Sequence, residues 1–349
     1  MTDRRSAALA ASVSIKEVAT AAGVSVGTVS NVLNKPHLVA EGTRDRVQAA
    51  IAELGFVRNE SARHLRSGAS RAVGLVVIDA ANPFFSDVAR GVEDTVQAAG
   101  GVVLLGNSAG DSERENRYLE LFEQQRVRGV LIAPTGDSVP PLDSLARRGI
   151  PVVFLDRYPE GADCSSVSVD DVAGGCLAVR HLLERGHRAL AFVGGPSTLQ
   201  QVRDRRQGAE ETIATVEAAT LLAVSTPALT IPAGRQAGEE LAALPEAQRP
   251  TAVFAANDLV ALGVLAGLTD HGLRVPEDVA IVGYDDIEFA AAAAVPLSSV
   301  RQPRAELGRR GAELLFEEIR RREAGLPRQR TEVRFECELV VRRSSAPSV

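Results

Sequence analysis

From residue 72 onward the sequence alternates between short β-branched runs and longer stretches with helical periodicity. VGLVVI (73–78), GVVLLG (101–106), GVLIA (129–133), PVVFLD (151–156), ALAFVGG (189–195), TAVFAAND (251–258) and DVAIVGYDD (278–286) read as strands. Most are separated by helical stretches of roughly 12 to 20 residues, such as 84–99 and 113–126. That alternation builds parallel sheets buried on both faces. There are about twice as many units as one compact sheet needs. The pattern therefore predicts two similar lobes with a cleft between them. Lobe one spans about 71–170 and 301–331, and lobe two about 171–300 and 332–345.

Residues 14–70 obey a different rhythm. In SIKEVATAAGVSVGTVSNVL, Ser14 can cap a first helix, with Glu17 three residues on to complete a capping box. Ile15, Val18 and Ala19 share one face. Gly23 supplies the backbone freedom of a tight corner, and Ser25 caps a second helix packed through Val29, Val32 and Leu33. This leaves Val26, Gly27, Thr28, Ser30 and Asn31 facing solvent, short side chains that let a helix approach base edges in a major groove. Thr43 is the expected cap of a third helix through Val47, Ala50, Ile51 and Leu54, closed by Gly55. A generic three-helix bundle without a partner fits the same pattern.

The next stretch, RNESARHLRSGAS (58–70), adds a short helix capped by Asn59, with Ala62 and Leu65 on one side and Arg63 and Arg66 nearby. So short a helix does not persist alone in water. A leucine flanked by arginines suits insertion into a widened minor groove; an ordinary linker is the plain alternative.

The net charge of −6 argues against nucleic acid until its distribution is considered. Residues 1–70 hold nine Arg or Lys against six Asp or Glu, whereas the remainder holds thirty against thirty-nine. A basic head on an acidic body fits a phosphate-contacting module joined to a regulatory domain. No run reaches the roughly 18 to 25 apolar residues that would cross a bilayer, and the start carries no export signal, so the expected location is the cytoplasm, at the nucleoid. Cys164, Cys176 and Cys337 are far apart and odd in number, which predicts neither a metal knuckle nor a disulfide framework. The reading calls for no cofactor and no metal.

Parallel sheets take ligands beyond the carboxyl ends of their strands. Asp79 and Asn82, Asp156 and Arg157, Asn257 and Asp258, and Asp285 and Asp286 fall there, with Arg203, Arg205 and Arg206 following FVGG. Carboxylates, an amide and a guanidinium facing one cleft satisfy a hydroxyl-rich ligand. Phe84 and Phe85 offer a flat apolar surface to a ring. Asp258 and Asp286 serve equally well as caps of the helices after their strands. Asp156 and Asp285 can be imagined as a glycosidase pair, but no sequence argument fixes their separation. No stretch is read as an HExxH site, a Walker A loop or a nucleophile elbow, and FVGGPS lacks the full dinucleotide fingerprint. His181 and His187 read as helix-end residues rather than metal ligands.

Taken together, IKEVATAAGVSVGTVSNVLN, TRDRVQAAIAELGFVRNESARHL, NPFF, FLDR, GHRALAFVGG, AVFAANDLVALG, VPEDVAIVGYDD and SSVRQPRAELGRRGAELL resemble, in order and spacing over about 14–340, the lactose-repressor/galactose-repressor family of bacterial transcription regulators. The resemblance implies a helix-turn-helix DNA-binding domain (1–57), a hinge helix and linker (58–70), and a two-lobed α/β effector-binding and dimerisation domain (71–349) of the periplasmic-binding-protein type. It further implies a homodimer on a near-palindromic duplex operator, released or recruited by a small metabolite, a sugar or sugar derivative, and no catalysis. Carried over, Val26 and Gly27 lead the base-reading positions, and Ser25, Thr28, Ser30 and Asn31 line or anchor the same helix. Many members have arginine where this chain has Asn31, which removes a guanine contact. Leu65 matches the leucine that levers the minor groove open, and Ala62 the small residue where two hinge helices meet. In the cleft, Phe85 resembles a ligand-stacking aromatic, with Asn82 and Phe84 beside it. Asp156, Arg205, Asn257 and Asp285 match polar contacts of sugar-responsive members; Arg205 is chosen because it stands three before Gly208. Leu229 stands where relatives carry an aromatic. The polar tail RRSSAPSV suits no tetramerisation heptad, which favours the dimer. A transport receptor for a sugar, an α/β enzyme acting on a carbohydrate, and an architectural DNA-binding protein are the rival classes.

Overall fold

A computed structural model describes residues 13–56, 70–136, 140–157 and 164–346. The chain divides into two units, Met1–Ala69 and Ser70–Val349.

The first unit contains α1 (Ile15–Ala21), α2 (Val26–Asn34) and α3 (Glu41–Leu54). The capping box at α1 is formed: Glu17 N–H donates to Ser14 Oγ, and Ser14 N–H donates to Glu17 Oε2 at 2.7 Å. At α2, Thr28 N–H donates to Ser25 Oγ at 3.1 Å. Gly23, at φ +65°, makes the corner between them. Thr43 is not the cap expected for α3. The 3₁₀ turn Pro36–Leu38 swings the chain into the helix earlier, and Thr43 lies within the first turn after an uncapped Ala40. Gly55 ends α3 in the left-handed conformation, and Phe56 N–H reaches back to the Ile51 carbonyl at 3.0 Å. Val18, Ala19, Ala22, Val29, Val32, Val47 and Ala50 form the core, so these helices meet through small side chains.

The second unit is built from twelve strands among the described residues. β1 (Ala72–Val77), β2 (Val102–Asn107), β3 (Val130–Ile132), β4 (Val152–Leu155) and β5 (Ser165–Val169) come first. There follow β6 (Ala189–Val193), β7 (Thr220–Val224), β8 (Ala252–Ala255), β9 (Ala280–Asp285), β10 (Ser298–Arg301), β11 (Glu332–Phe335) and β12 (Glu338–Val340). One sheet has the order β11-β5-β4-β3-β1-β2, wholly parallel. The other has the order β12-β10-β9-β8-β6-β7, parallel except that β12 runs against β10. Each sheet is the nucleus of a lobe.

The helices of this unit are α4 (Pro83–Ala98), α5 (Ser112–Gln124), α6 (Pro140–Arg147), α7 (Asp171–Glu184), α8 (Gln200–Ile213), α9 (Ile231–Ala242), α10 (Asp258–Asp270), α11 (Glu288–Ala292) and α12 (Arg304–Glu323). The chain passes between lobes three times: from β5 to α7, from β10 to α12, and from β11 to β12. The third passage lies between Phe335 and Glu338, not at 331 as the sequence suggests, because β11 pairs with β5 and belongs to lobe one.

Helix pairs in both lobes approach backbone to backbone through glycines. A Cβ on Gly208 of α8 would fall 2.0 Å from the Val172 carbonyl, and one on Gly175 of α7 would fall 2.2 Å from the Arg205 carbonyl. This contact sets where Arg205 stands, three residues before Gly208.

Candidate functional site

On the head, α2 and its cap leave Ser25, Gly27 and Asn31 exposed, with Thr28 and Ser30 half-buried. Val26 is not purely outward as the sequence suggests; it packs on the edge of the head core. The Thr28 hydroxyl lies 2.9 Å from Ser25 Oγ, and Asn34 Nδ2 donates to the Ser30 carbonyl at 2.8 Å. The face is therefore short and polar, with two hydroxyls already oriented by neighbours. Within 13–56, four Lys or Arg are matched by four Asp or Glu, so the basic surplus of residues 1–70 comes from 1–12 and 57–69. Asn59, Ala62, Arg63, Leu65 and Arg66 lie outside the described residues.

In the second unit, the strand ends bring together Asp156, Arg205 and Asp285, joined by Asp171 at the start of α7. Arg205 is 2% exposed. Its Nε donates to Asp171 Oδ1 at 2.7 Å and its NH1 to the Ala256 carbonyl at 2.8 Å, while Asp285 Oδ1 stands 3.8 Å away. The guanidinium carbon lies 3.8 Å from the Tyr284 ring centroid, an ordered cation–π contact. Burial opposes the charge on Arg205, but Asp171, Tyr284 and Asp285 outweigh it and hold the guanidinium protonated. The neighbouring arginines point elsewhere: Arg203 donates to the Ser197 and Thr198 carbonyls, and Arg206 to Glu210.

Burial pushes the Asp156 carboxyl well above the usual range, and Asp171 pushes the same way against the pull of Arg205. Asp285 is raised to about 6 by burial, opposed by Arg205 and by the hydrogen bond that Gln302 Nε2 donates to its Oδ1 at 2.7 Å. Asp156 and Asp285, together with Asp286, adopt positive φ angles of 53°, 100° and 52°. Aspartate tolerates this region better than most residues, and such backbone concentrates at ligand sites. Across the cleft, Gln201 Nε2 of lobe two donates to Asp156 Oδ2 of lobe one at 3.3 Å.

Four buried polar atoms at strand carboxyl ends or the helix start after β6 have no hydrogen-bond partner: Asp156 Oδ1, Gln200 Oε1, Thr226 Oγ1 and Gln302 Oε1. A buried polar atom left unpaired costs roughly 1–3 kcal/mol, so Asp156 and Gln302, which bonds Asp285, leave the Arg205 cluster open to something polar.

The other expected cleft residues divide their roles. Asn82 and Asn257 cap α4 and α10, accepting from Phe84 N–H at 3.0 Å and Val260 N–H at 2.9 Å. Asn257 Nδ2 also donates to the Leu229 carbonyl at 3.5 Å. Phe84 and Phe85 do not lie flat towards the cleft. They meet edge to face, centroids 4.9 Å apart, and are buried in the core. Asp258 and Asp286 are not caps. Asp258 accepts from Ile287 N–H and Ser299 Oγ, and Asp286 is held by Arg301 and Arg342, which keep it below the usual carboxylate range despite burial.

Asp171, Gln201, Gln302, Tyr284 and Thr226 escaped the sequence reading. The signal for Asp171 was present in SVSVDD, but three buried serines disguised β5 as polar.

The alternatives to ligand binding lose their residues to packing. In the FVGGPS loop, a Cβ on Gly195 would fall 2.1 Å from the Thr226 carbonyl, so the glycines are spent on contact between loops. His181 Nε2 bonds Ser345 Oγ at 2.7 Å, and His187 Nδ1 bonds Thr251 Oγ1 at 2.9 Å. Among the described residues, no cluster of His, Cys, Asp and Glu is placed to hold a metal, and no helix is long and apolar enough to cross a membrane.

Comparison with known proteins agrees with both units. Residues 14–59 match the model of bacterial regulatory proteins, lacI family, and residues 179–345 match a periplasmic binding protein-like domain. The ribose operon repressor of Bacillus subtilis (strain 168) is 39% identical over 302 residues, covering 86% of this chain and 90% of that protein. The HTH-type transcriptional repressor PurR of Aliivibrio fischeri (strain MJ11) is 33% identical over 308 residues, covering 88% and 91%. Among solved structures, the lac repressor dimer bound to operator and the anti-inducer ONPF superposes with a TM-score of 0.80 at 28% identity, covering 96% of this chain and 99% of that one. The chain belongs to the lacI family of bacterial regulatory proteins.

Proposed function

We propose that this protein is a transcriptional repressor that binds a near-palindromic operator as a homodimer and adjusts its grip to a sugar or sugar derivative held between the two lobes. The observation that carries the reading is the buried cluster of Arg205, Asp156 and Asp285, in which Asp156 Oδ1 and the oxygen of Gln302 keep no hydrogen-bond partner, in a chain whose first unit is a lacI-family head. Ser25, Val26, Gly27, Thr28, Ser30 and Asn31 meet the major groove. Asn59, Ala62, Arg63, Leu65 and Arg66 complete the contact from the linker. In the cleft, Asp156, Arg205, Asn257 and Asp285 bond ligand hydroxyls, with Asn82, Phe84 and Phe85 fixing the lobe-one wall. One relative represses a ribose operon, which favours a sugar here.

Exposed apolar residues support the dimer. Edge strand β2 exposes Val102, Leu104 and Leu105, α5 exposes Leu121, and edge strand β7 of lobe two exposes Leu222. Bare apolar edges are pairing surfaces, and both lobes carry one. A ligand acts by preferring one arrangement of the lobes over the other.

The test is selection of operator DNA by the full-length protein from a random pool, with and without a panel of sugars and nucleobases. The expected result is a near-palindrome whose retention changes with one metabolite. Recovery of no common sequence under any condition would refute the reading.

A further inference from the structure

Granted that the cleft holds a hydroxyl-rich effector, its charges restrict which one. We propose that the site takes an uncharged ligand, a free sugar or polyol, and rejects phosphorylated and carboxylated sugars. Three carboxyl groups, Asp156, Asp171 and Asp285, surround one guanidinium, Arg205. That guanidinium is already engaged by Asp171, the Ala256 carbonyl and the face of Tyr284. The other arginines near the strand ends are engaged too, Arg157 donating to the Gly136 carbonyl. Arg304 bonds Asp87 and the carbonyls of Asp285 and Asp286, Arg301 bonds Asp286 and Glu338, and Arg342 bonds Asp286.

Helix N-termini are the usual alternative for an anion; at α4 the Asn82 side chain takes the Phe84 N–H, and at α7 and α10 carboxylates already stand there. Asp170 caps α7 with Asp171 in its first turn, and Asp258 stands in the first turn of α10 behind the Asn257 cap. Helix α8 begins without a side-chain cap, but Asp156 lies against its second residue, Gln201. A phosphate or carboxylate entering here would meet like charges in a buried setting, where repulsion is least screened. A hydroxyl-bearing ligand meets what it needs: the open acceptors Asp156 Oδ1 and Gln302 Oε1, and the Thr226 hydroxyl. Raised carboxyl groups at such a site either accept from ligand hydroxyls or keep a proton and donate one.

The experiment uses purified full-length protein at pH 7.5. Isothermal titration and thermal shift compare matched pairs: ribose with ribose 5-phosphate, glucose with glucose 6-phosphate, and each free sugar with its aldonate. The expected result is that whichever free sugar binds does so at least 100-fold more tightly than its phosphate ester or acid. In Asp285→Asn, which removes a carboxylate ionised at pH 7.5, that ratio should narrow at least tenfold; Asp171→Asn gives the same readout should the first variant not fold. A phosphate ester that binds as tightly as its parent sugar overturns the charge argument and leaves the effector site standing. Failure of every sugar in the panel, charged or neutral, overturns the effector reading and this inference with it.

Discussion

Asp285→Asn should make the protein more stable at neutral pH while removing the effect of bound effector on its affinity for DNA. Folded Asp285 keeps its proton up to about pH 6, whereas its ordinary value is 3.8. Between those values the folded state binds more protons than the unfolded chain. The contribution of the protonated carboxyl is therefore fully present below about pH 3.8 and is lost as pH rises through about 6. At about 1.4 kcal/mol per unit, the buried charge costs roughly 3 kcal/mol at neutral pH. Asparagine has the same shape, tolerates the φ of 100° and still accepts from Gln302 Nε2. It gives up the 3.8 Å attraction to Arg205, which keeps Asp171 at 2.7 Å. The net gain expected is about 1–3 kcal/mol at pH 7.5, shrinking to nothing near pH 4. Urea unfolding of parent and variant across pH 4 to 8, beside operator binding with and without effector at pH 7.5, measures both effects. A variant less stable than its parent at pH 7.5, or a difference that does not change with pH, would refute the reasoning.

Other substitutions probe the remaining layers. Gly208→Ala places a Cβ 2.0 Å from the Val172 carbonyl, so it should cost about 1–3 kcal/mol in denaturant unfolding and weaken effector binding by displacing Arg205. Gly55→Ala forces an L side chain into a φ of +61° and should destabilise the head by about 1–2 kcal/mol, seen as earlier loss of operator binding on heating with the second unit unchanged. Leu65→Ala should weaken binding to the selected operator while sparing nonspecific, salt-sensitive DNA binding; equal loss on both DNAs would count against a wedge in the minor groove.

The legibility of this fold followed chemistry rather than length. Runs such as TAVFAAND and DVAIVGYDD announced buried parallel strands through β-branched residues, and the structure places β8 and β9 there. SSVSV and SSVR did not, because Ser165, Ser166, Ser168, Ser298 and Ser299 are buried in spite of their polarity. Their burial is a tertiary effect: Ser299 Oγ donates to Asp258, and Ser298 Oγ donates to the Arg342 carbonyl. The site was half readable for a related reason. Asp156, Arg205 and Asp285 follow strands or a recognisable R-x-x-G, but Gln201 and Gln302 become site residues only through bonds to Asp156 and Asp285 far away in sequence. The phenylalanines show the opposite error. NPFF after a strand suggested a surface for a ring, whereas helix α4 turns both rings into the core.

Those long-range bonds lie beside the passages between the lobes, and this placement joins ligand binding to motion. Asp170 N–H donates to the Phe335 carbonyl at 3.0 Å, tying the first passage to the third. Arg301 bonds both Asp286 and Glu338 at 2.7 Å, tying the end of β9 to the second and third. Arg304 then reaches from lobe one to the carbonyls of Asp285 and Asp286 in lobe two while holding Asp87 at 2.9 Å. Asp285 is therefore part of the cleft surface and a neighbour of the connecting chain at once. A ligand that bonds its carboxyl changes a group already held at about 6, close to neutrality. The energy of that change is delivered next to the segments about which the lobes would turn. Binding elsewhere in the cleft would leave those segments untouched, so an effector that makes no contact with Asp285 should bind without altering the affinity for DNA.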